Sequence, residues 1–292
     1  MARKPAERPT EVSVEAMIKA LSARVEGQQR ALKVTRKALD GLAVALEAGA
    51  AGERAALGHV ERLRGAALEG ELGEARDGLA VAVEAHLEGQ RRAVRAALMG
   101  SLRQLSSEAG VELVRLGDAP PTVLLAPLEV ELDFEAGKAR LSYARRVVAE
   151  VPCEAEAIVE ARQRAIDAIR DEALPSEQFF DLLRRAYRLV LTLQGLAEGE
   201  RVELVDLLMP LSVLREALAS WRGVERIRVF PRHLLSYQLQ RLRREGMLER
   251  DGVRIDLGAA TGGSTRNKRD VLFVPTSPTE GQYYLTIRME AR

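Results

Sequence analysis

Residues 230–276 read FPRHLLSYQLQRLRREGMLERDGVRIDLGAATGGSTRNKRDVLFVPT. Pro231 suits the first turn of a helix, where a missing N–H costs nothing. Gly246 suits its end. Between them, at 100° per residue, Leu235, Leu239 and Leu242 fall on one stripe and predict a buried face. The opposite face carries His233, Tyr237, Gln240, Arg241 and Arg244. Such donors, and a ring among them, can reach phosphates and base edges. A core helix with a solvated basic face is the plainer reading of the same residues. Met247, Leu248 and the alternation Val253, Ile255, Leu257 then predict a strand. Asp251-Gly252 bulges it or turns a small hairpin. The next thirteen residues, GAATGGSTRNKRD from Gly258 to Asp270, combine glycines with Arg266, Lys268 and Arg269. Val271 to Val274 predicts a second, returning strand, ended by Pro275 and Pro278.

A flexible cationic loop between two strands can lie along a phosphate backbone or enter a minor groove. It is not a nucleotide-binding loop of the Walker type, because no Gly-Lys-Ser/Thr follows the glycines. In the order of its elements, residues 176–275 resemble a winged-helix domain. Phe179 to Gln194 stands as the first helix. Val202 to Leu208 stands as a short strand or turn and the second helix. Pro231 to Glu245 stands as the recognition helix, with the wing behind it. Residues 211–229 stand where a tight turn is usual in that family. The resemblance implies a helix in the major groove and a wing on the backbone. Winged helices also dock proteins, so fold and function are separate questions.

The rest of the chain bounds that reading. Its 292 residues suffice for two or three units with real cores. Aromatic residues are only 4%, and the Leu, Ala, Arg and Glu excess favours long helices. Net charge is +1, so no whole-molecule attraction to nucleic acid exists. The distribution is uneven, however. Residues 221–292 hold 14 Lys/Arg against 8 Asp/Glu, whereas residues 125–210 hold 11 against 17. A basic binding end and an acidic middle fit this asymmetry, and so does association between the two. One cysteine, Cys153, excludes an intrachain disulfide and a cysteine-cluster metal site. No apolar run reaches the ~18 residues of a membrane span. The opening MARKPAERPTE has no apolar signal core, so a cytoplasmic location is expected.

Residues 1–11 read as a loose polar tail. From Val14 the apolar positions alternate spacings of four and three: Ile18, Leu21, Val25, then Leu32, Leu39, Leu42 and Leu46, with polar lapses at Gln28 and Thr35. This is a coiled-coil signal, and these residues are the candidate oligomerisation seam. Gly49-Ala-Ala-Gly52 reads as a break. Glu53 to Glu112 then predicts two or three further helices, since its apolar phase drifts and glycines interrupt it. Residues 12–116 are thus expected to form a helical hairpin or bundle. Residues 122–174 are expected to form a small α+β linker, a β-hairpin from Val123 to Tyr143 followed by a helix from Glu154 to Ala173. Residues 175–292 carry the winged-helix-like part, with Tyr283 to Met289 as a last strand. The expected class is mainly α with a smaller α+β portion.

Catalytic patterns are missing from the sequence: no HExxH, no Gly-x-Ser-x-Gly, no paired metal-ligand spacing. His59, His86 and His233 lie far apart, and His86 reads as a core residue. Cys153 reads as structural. Glu129, Glu131 and Asp133 alternate on one strand face, which reads as a solvated face and not a cation site. The expectation is a non-enzymatic protein without cofactor or metal. Its partner is duplex DNA, contacted through His233, Tyr237, Gln240, Arg241, Arg244, Arg266, Lys268 and Arg269. The coiled coil brings copies together into a homo-oligomer, which raises apparent affinity. The alternative is an adaptor subunit whose winged-helix-like part docks on a protein partner such as a coiled-coil ATPase. No membrane partner is expected.

Overall fold

The fold was analysed in a computed structural model that describes residues 13–219, 229–262 and 269–291. It is mixed, with long helices in the N-terminal part and antiparallel sheets after them. The chain divides into two compact units, one ending at Ala97 and one beginning at Leu98.

The first unit is a helical hairpin with a third helix. Helix α1 spans Val14–Glu47, a short 3-10 turn covers Gly49–Gly52, and α2 spans Glu53–Arg64. Helix α3 begins at Glu71 and runs to Glu108, so its last turns belong to the second unit. The break at Gly49 therefore lies where the glycines put it, with Gly49 in the left-handed region at φ 59°. The core is small-against-large: Ala38, Leu42 and Ala45 of α1 meet Ala56, Val60 and Leu63 of α2, with Ala80, Val83 and Leu87 of α3. Ala31, Ala38 and Ala45 recur at heptad spacing on the inner face of α1, which lets α2 approach closely. Two glycines lie at that approach. A Cβ at Gly52 would stand 1.9 Å from the carbonyl oxygen of Ala45, and one at Gly41 would stand 2.2 Å from the His59 ring. His86, read from sequence as core, is exposed and pairs with Gln90 at 3.0 Å. The α3 stripe that goes inside is Ala80, Val83 and Leu87.

The second unit opens with a five-stranded antiparallel meander in the order β1-β2-β3-β4-β5. Its strands are Leu113–Asp118, Pro121–Leu125, Leu128–Asp133, Lys138–Tyr143 and Arg146–Pro152. The sequence led us to expect strands at Val123–Leu125, Val130–Phe134 and Ala139–Tyr143, grouped as a hairpin. The two added strands are the edges, whose alternation is weak because neither face of an edge is fully covered. The interior strands alternate as period two requires. Val130, Leu132, Leu141 and Tyr143 are buried, whereas Glu129, Glu131 and Asp133 point outward. Those three acids are spoken for. Glu129 pairs with Arg145 at 2.8 Å and Glu131 with Arg140 at 3.6 Å, while Asp133 accepts the backbone N–H groups of Glu135 and Ala136. Helix α4 (Ala155–Glu172) lays Ile158, Ala161, Ile166 and Ile169 into the same core. Each such aliphatic contributes about 1.5–3 kcal/mol by leaving water.

Helix α5 (Ser176–Gln194) follows, stopped by Gly195 in the left-handed region. Then come β6 (Val202–Glu203), a 3-10 turn, and α6 (Leu208–Ala219). Helix α7 spans Arg232–Arg244. Its start is tied back to α6: the Phe230 N–H donates to Ser212 Oγ at 2.6 Å, and that hydroxyl donates to the Leu208 carbonyl at 2.6 Å. Its end is the expected Gly246, φ 70°, over which the Met247 N–H reaches the Leu242 carbonyl at 2.8 Å. Strands β7 (Glu249–Arg250), β8 (Val253–Ala259), β9 (Leu272–Pro275) and β10 (Gly281–Ala291) complete the chain. The second sheet runs β6-β10-β8-β7, with β9 also paired to β10. The partner of β8 is thus β10, not the nearer β9. β10 is eleven residues long and serves both, one with each part of its length.

Candidate functional site

On α7 the stripe Leu235, Leu239 and Leu242 is buried as the spacing requires. So are Leu234, Ser236 and Gln238. The helix is therefore packed on nearly every side, and its first fully exposed residue is Arg243. The other face lies against β4 and the end of α4. Tyr237 meets the Tyr143 ring edge-on, with centroids 6.2 Å apart. Gln240 Oε1 accepts from the Tyr143 hydroxyl at 2.6 Å. Burial pushes the Tyr143 phenol well above its usual range. Gln238 Nε2 and Arg241 Nη1 both donate to the Leu174 carbonyl, at 3.2 and 3.3 Å. Arg241 Nε also pairs with Glu245 at 2.9 Å. His233 is half-buried, and that burial depresses its pKa.

The sequence grouped His233, Tyr237, Gln240, Arg241 and Arg244 as one outward face. The structure keeps them on one side of α7, but leaves all except Arg244 half-buried, with contacts to Tyr143 of β4 and to the Leu174 carbonyl after α4. In the loop behind, Arg269 is exposed, whereas Arg266 and Lys268 lie outside the described residues. Exposed cations near the end of α7 are Arg243, Arg244 and Arg254. Arg243 Nη1 donates to the Tyr284 hydroxyl at 3.0 Å.

The α1 seam divides into two regimes. Leu42 is buried at 3% exposure and Leu46 packs beside the hairpin core. Toward the N-terminus Ile18, Leu21 and Val25 are 61%, 63% and 50% exposed, and Leu32 and Leu39 are also exposed. Val14 and Met17 extend the same open apolar face. Sequence reasoning missed that α1 carries two apolar faces. The inner one is marked mainly by alanines, whose signal is a seven-residue recurrence and not bulk, with Leu42 beside them.

Other chemistry is sparse. Cys153 is half-buried, and burial together with the nearby Asp133 carboxylate pushes its thiol pKa up, away from a nucleophile. Among the described residues no group of three or more His, Cys, Asp and Glu side chains is placed to hold a metal ion. Among them, too, no helix is long and apolar enough to cross a membrane. No protein-family model matches the sequence, and no curated protein or solved structure matches the chain.

Proposed function

We propose that this chain acts by assembly and not by catalysis. Two copies pair through the N-terminal half of α1, and the C-terminal part, organised as a winged helix, serves as a docking module for a protein partner. The observation that carries this is the exposed apolar seam of α1. An amphipathic surface helix normally hides such a stripe, and here only its last turns are hidden. The residue types favour a second copy in parallel register. With Leu21 at a d position, Ile18 and Val25 fall at a positions, and β-branched a with Leu d is the two-stranded preference.

The winged-helix reading is supported by element order and strand pairing. Helix α5, short strand β6, helices α6 and α7 and the longer strands β8 and β10 occur in that order, and β10 lies between β6 and β8. The burial of that face of α7 disfavours groove reading, and docking through another surface of the C-terminal part does not need it. An adaptor needs no free recognition surface there.

The test is sedimentation or light scattering on the full chain. Wild type should be dimeric at micromolar concentration. Ile18→Glu and Leu21→Glu together should give monomers with unchanged helical content. Each replaced side chain forfeits about 1.5–3 kcal/mol of burial, so dimer affinity should fall by more than ~100-fold. A wild-type chain that stays monomeric at tens of micromolar would sink the proposal.

Duplex DNA remains the second reading, favoured by the exposed Arg243, Arg244, Arg254 and Arg269 around the wing. Fluorescence anisotropy across a salt series separates the two. A steep negative salt slope that flattens when Arg244 and Arg269 become alanine argues for phosphate contact. Absence of binding at low salt leaves the docking reading alone.

A further inference from the structure

Beside α7 the second unit holds two depressions with a shared wall. The first is a cleft of about 400 Å³ between β4, α4, α7 and the chain from Pro275 to Glu280. Its lining includes three aromatic rings, Tyr143, Tyr237 and Phe273, beside Ile166 and Ile169, and also the arginines Arg170 and Arg244. The second, of about 520 Å³, is also lined by Phe273, together with Arg145, Arg243, Gln282 and Tyr284. Thr276, Thr279 and Glu280 line both. Both halves combine aromatic rings with arginines, and the first holds more of the rings.

The backbone beneath Arg145 is unusual. Ala144 and Arg145 both adopt left-handed φ, 50° and 63°. Hairpin turns of that geometry normally use Asn-Gly, because a Cβ resists the left-handed region. An outlier of this kind is a pointer to function. Here it brings the Arg145 guanidinium 5.2 Å from the centre of the Phe273 ring and 2.8 Å from Glu129. Arg243 is held in turn by its hydrogen bond to Tyr284. Both guanidinium groups are thus oriented before anything binds.

We propose that the two depressions form one site for a nucleoside phosphate. The base lies in the aromatic cleft, and the phosphate is taken by Arg145 and Arg243. A flat ring stacks on aromatic side chains whatever its sequence identity. Guanidinium forks match phosphate oxygens two at a time. Between the halves, Thr276, Thr279 and Glu280 offer hydroxyls and a carboxylate where sugar hydroxyls would fall. Gln240 accepts from Tyr143 through Oε1, which leaves its amide N–H groups for the edge of a base. Glu129 and Arg145 form a pair with no net charge, so Arg145 offers the phosphate its remaining N–H groups and Arg243 supplies the net positive charge.

The same chemistry is offered by a free mononucleotide and by the 5′-phosphorylated end of a strand. Calorimetric titration of the full chain distinguishes them. The probes are the four nucleoside monophosphates, their nucleosides, inorganic phosphate, and a short single-stranded oligonucleotide with and without a 5′-phosphate. At least one monophosphate, or the phosphorylated oligonucleotide alone, should bind about tenfold or more tightly than its unphosphorylated form and than phosphate. Binding of the oligonucleotide but not the monophosphates would assign the site to a strand end. Arg243→Gln and Arg145→Gln should each weaken binding about tenfold or more, with melting curves confirming the fold. Arg243→Lys, which keeps charge but loses the fork, should fall between. Tyr237→Leu should weaken the nucleotide and leave phosphate alone. The proposal is overturned if no phosphorylated probe binds the folded protein at millimolar concentration. It is equally overturned if phosphate binds as well as any nucleotide, or if both arginine variants bind as wild type does. Dimerisation through α1 involves none of these residues, so either proposal can fail without the other.

Discussion

Gly52 decides how closely α1 and α2 can cross. The atom that a Cβ there would meet belongs to the backbone of Ala45, and a backbone cannot swing away. Gly52→Ala should therefore destabilise the helical unit by about 1–3 kcal/mol, read as a lowered melting temperature. Gly41 is a contrasting case, since its neighbour is the movable His59 ring. His233 supplies a pH-dependence. Burial depresses its folded pKa, so the unfolded chain binds the proton more readily. The resulting stability is complete above the unfolded value of ~6.5. It is lost as pH falls from there through the folded value. His233→Gln should flatten the slope of unfolding free energy against pH in that window; an unchanged slope would place its origin elsewhere. At this scale the sequence was partly legible. Gly246 as a helix stop and Leu235, Leu239 and Leu242 as a buried stripe follow from local rules. The Tyr143–Gln240 bond joins residues 97 apart in the chain, and no local rule reaches that far.

Among the elements, α7 and α1 make opposite use of amphipathic patterning. α7 has a clear stripe and a polar remainder, yet until Arg243 the remainder too is buried or half-buried. α1 has a longer stripe, yet most of it is open. Periodicity reports which side of a helix prefers to leave water, not whether a second neighbour also covers the polar side. Hydrogen exchange should show this directly. Amides of α7 should exchange slowly over the whole helix, and those of residues 14–27 quickly in the monomeric Ile18→Glu/Leu21→Glu variant. Protection of residues 14–27 in that variant would mean that something within the chain covers them. The sheets carry the same lesson. Strand existence at Val253–Leu257 and Tyr283–Met289 could be read from alternation. The pairing of β8 with β10 could not, because adjacency in sequence favoured β9. The edge strands of the meander were illegible for a simpler reason: half-covered strands need not alternate cleanly.

Over the whole molecule, two compact units with separate cores should unfold as two events. Differential scanning calorimetry is expected to resolve two transitions, only one of which shifts in Gly52→Ala. A single transition that moves as a whole would show the units to be thermodynamically one. The charge asymmetry read from composition acquires partners at this scale. The acids of the meander face are paired with Arg145, Arg140 and Lys138, and most such pairs are exposed and worth little individually. They leave the arginines at the end of α7 and around the wing as the more available cations.

The placing of β10 also orders events in time. Strands β6, β8 and β9 all depend on it for pairing, and it is made after every one of them. During synthesis the helical hairpin and the meander have all their parts well before residues 281–291 leave the ribosome. The second sheet does not. Until then three strands carry unmet backbone groups, and a nascent chain halted just short of Gly281 is the form of this protein most exposed to pairing with the wrong neighbour.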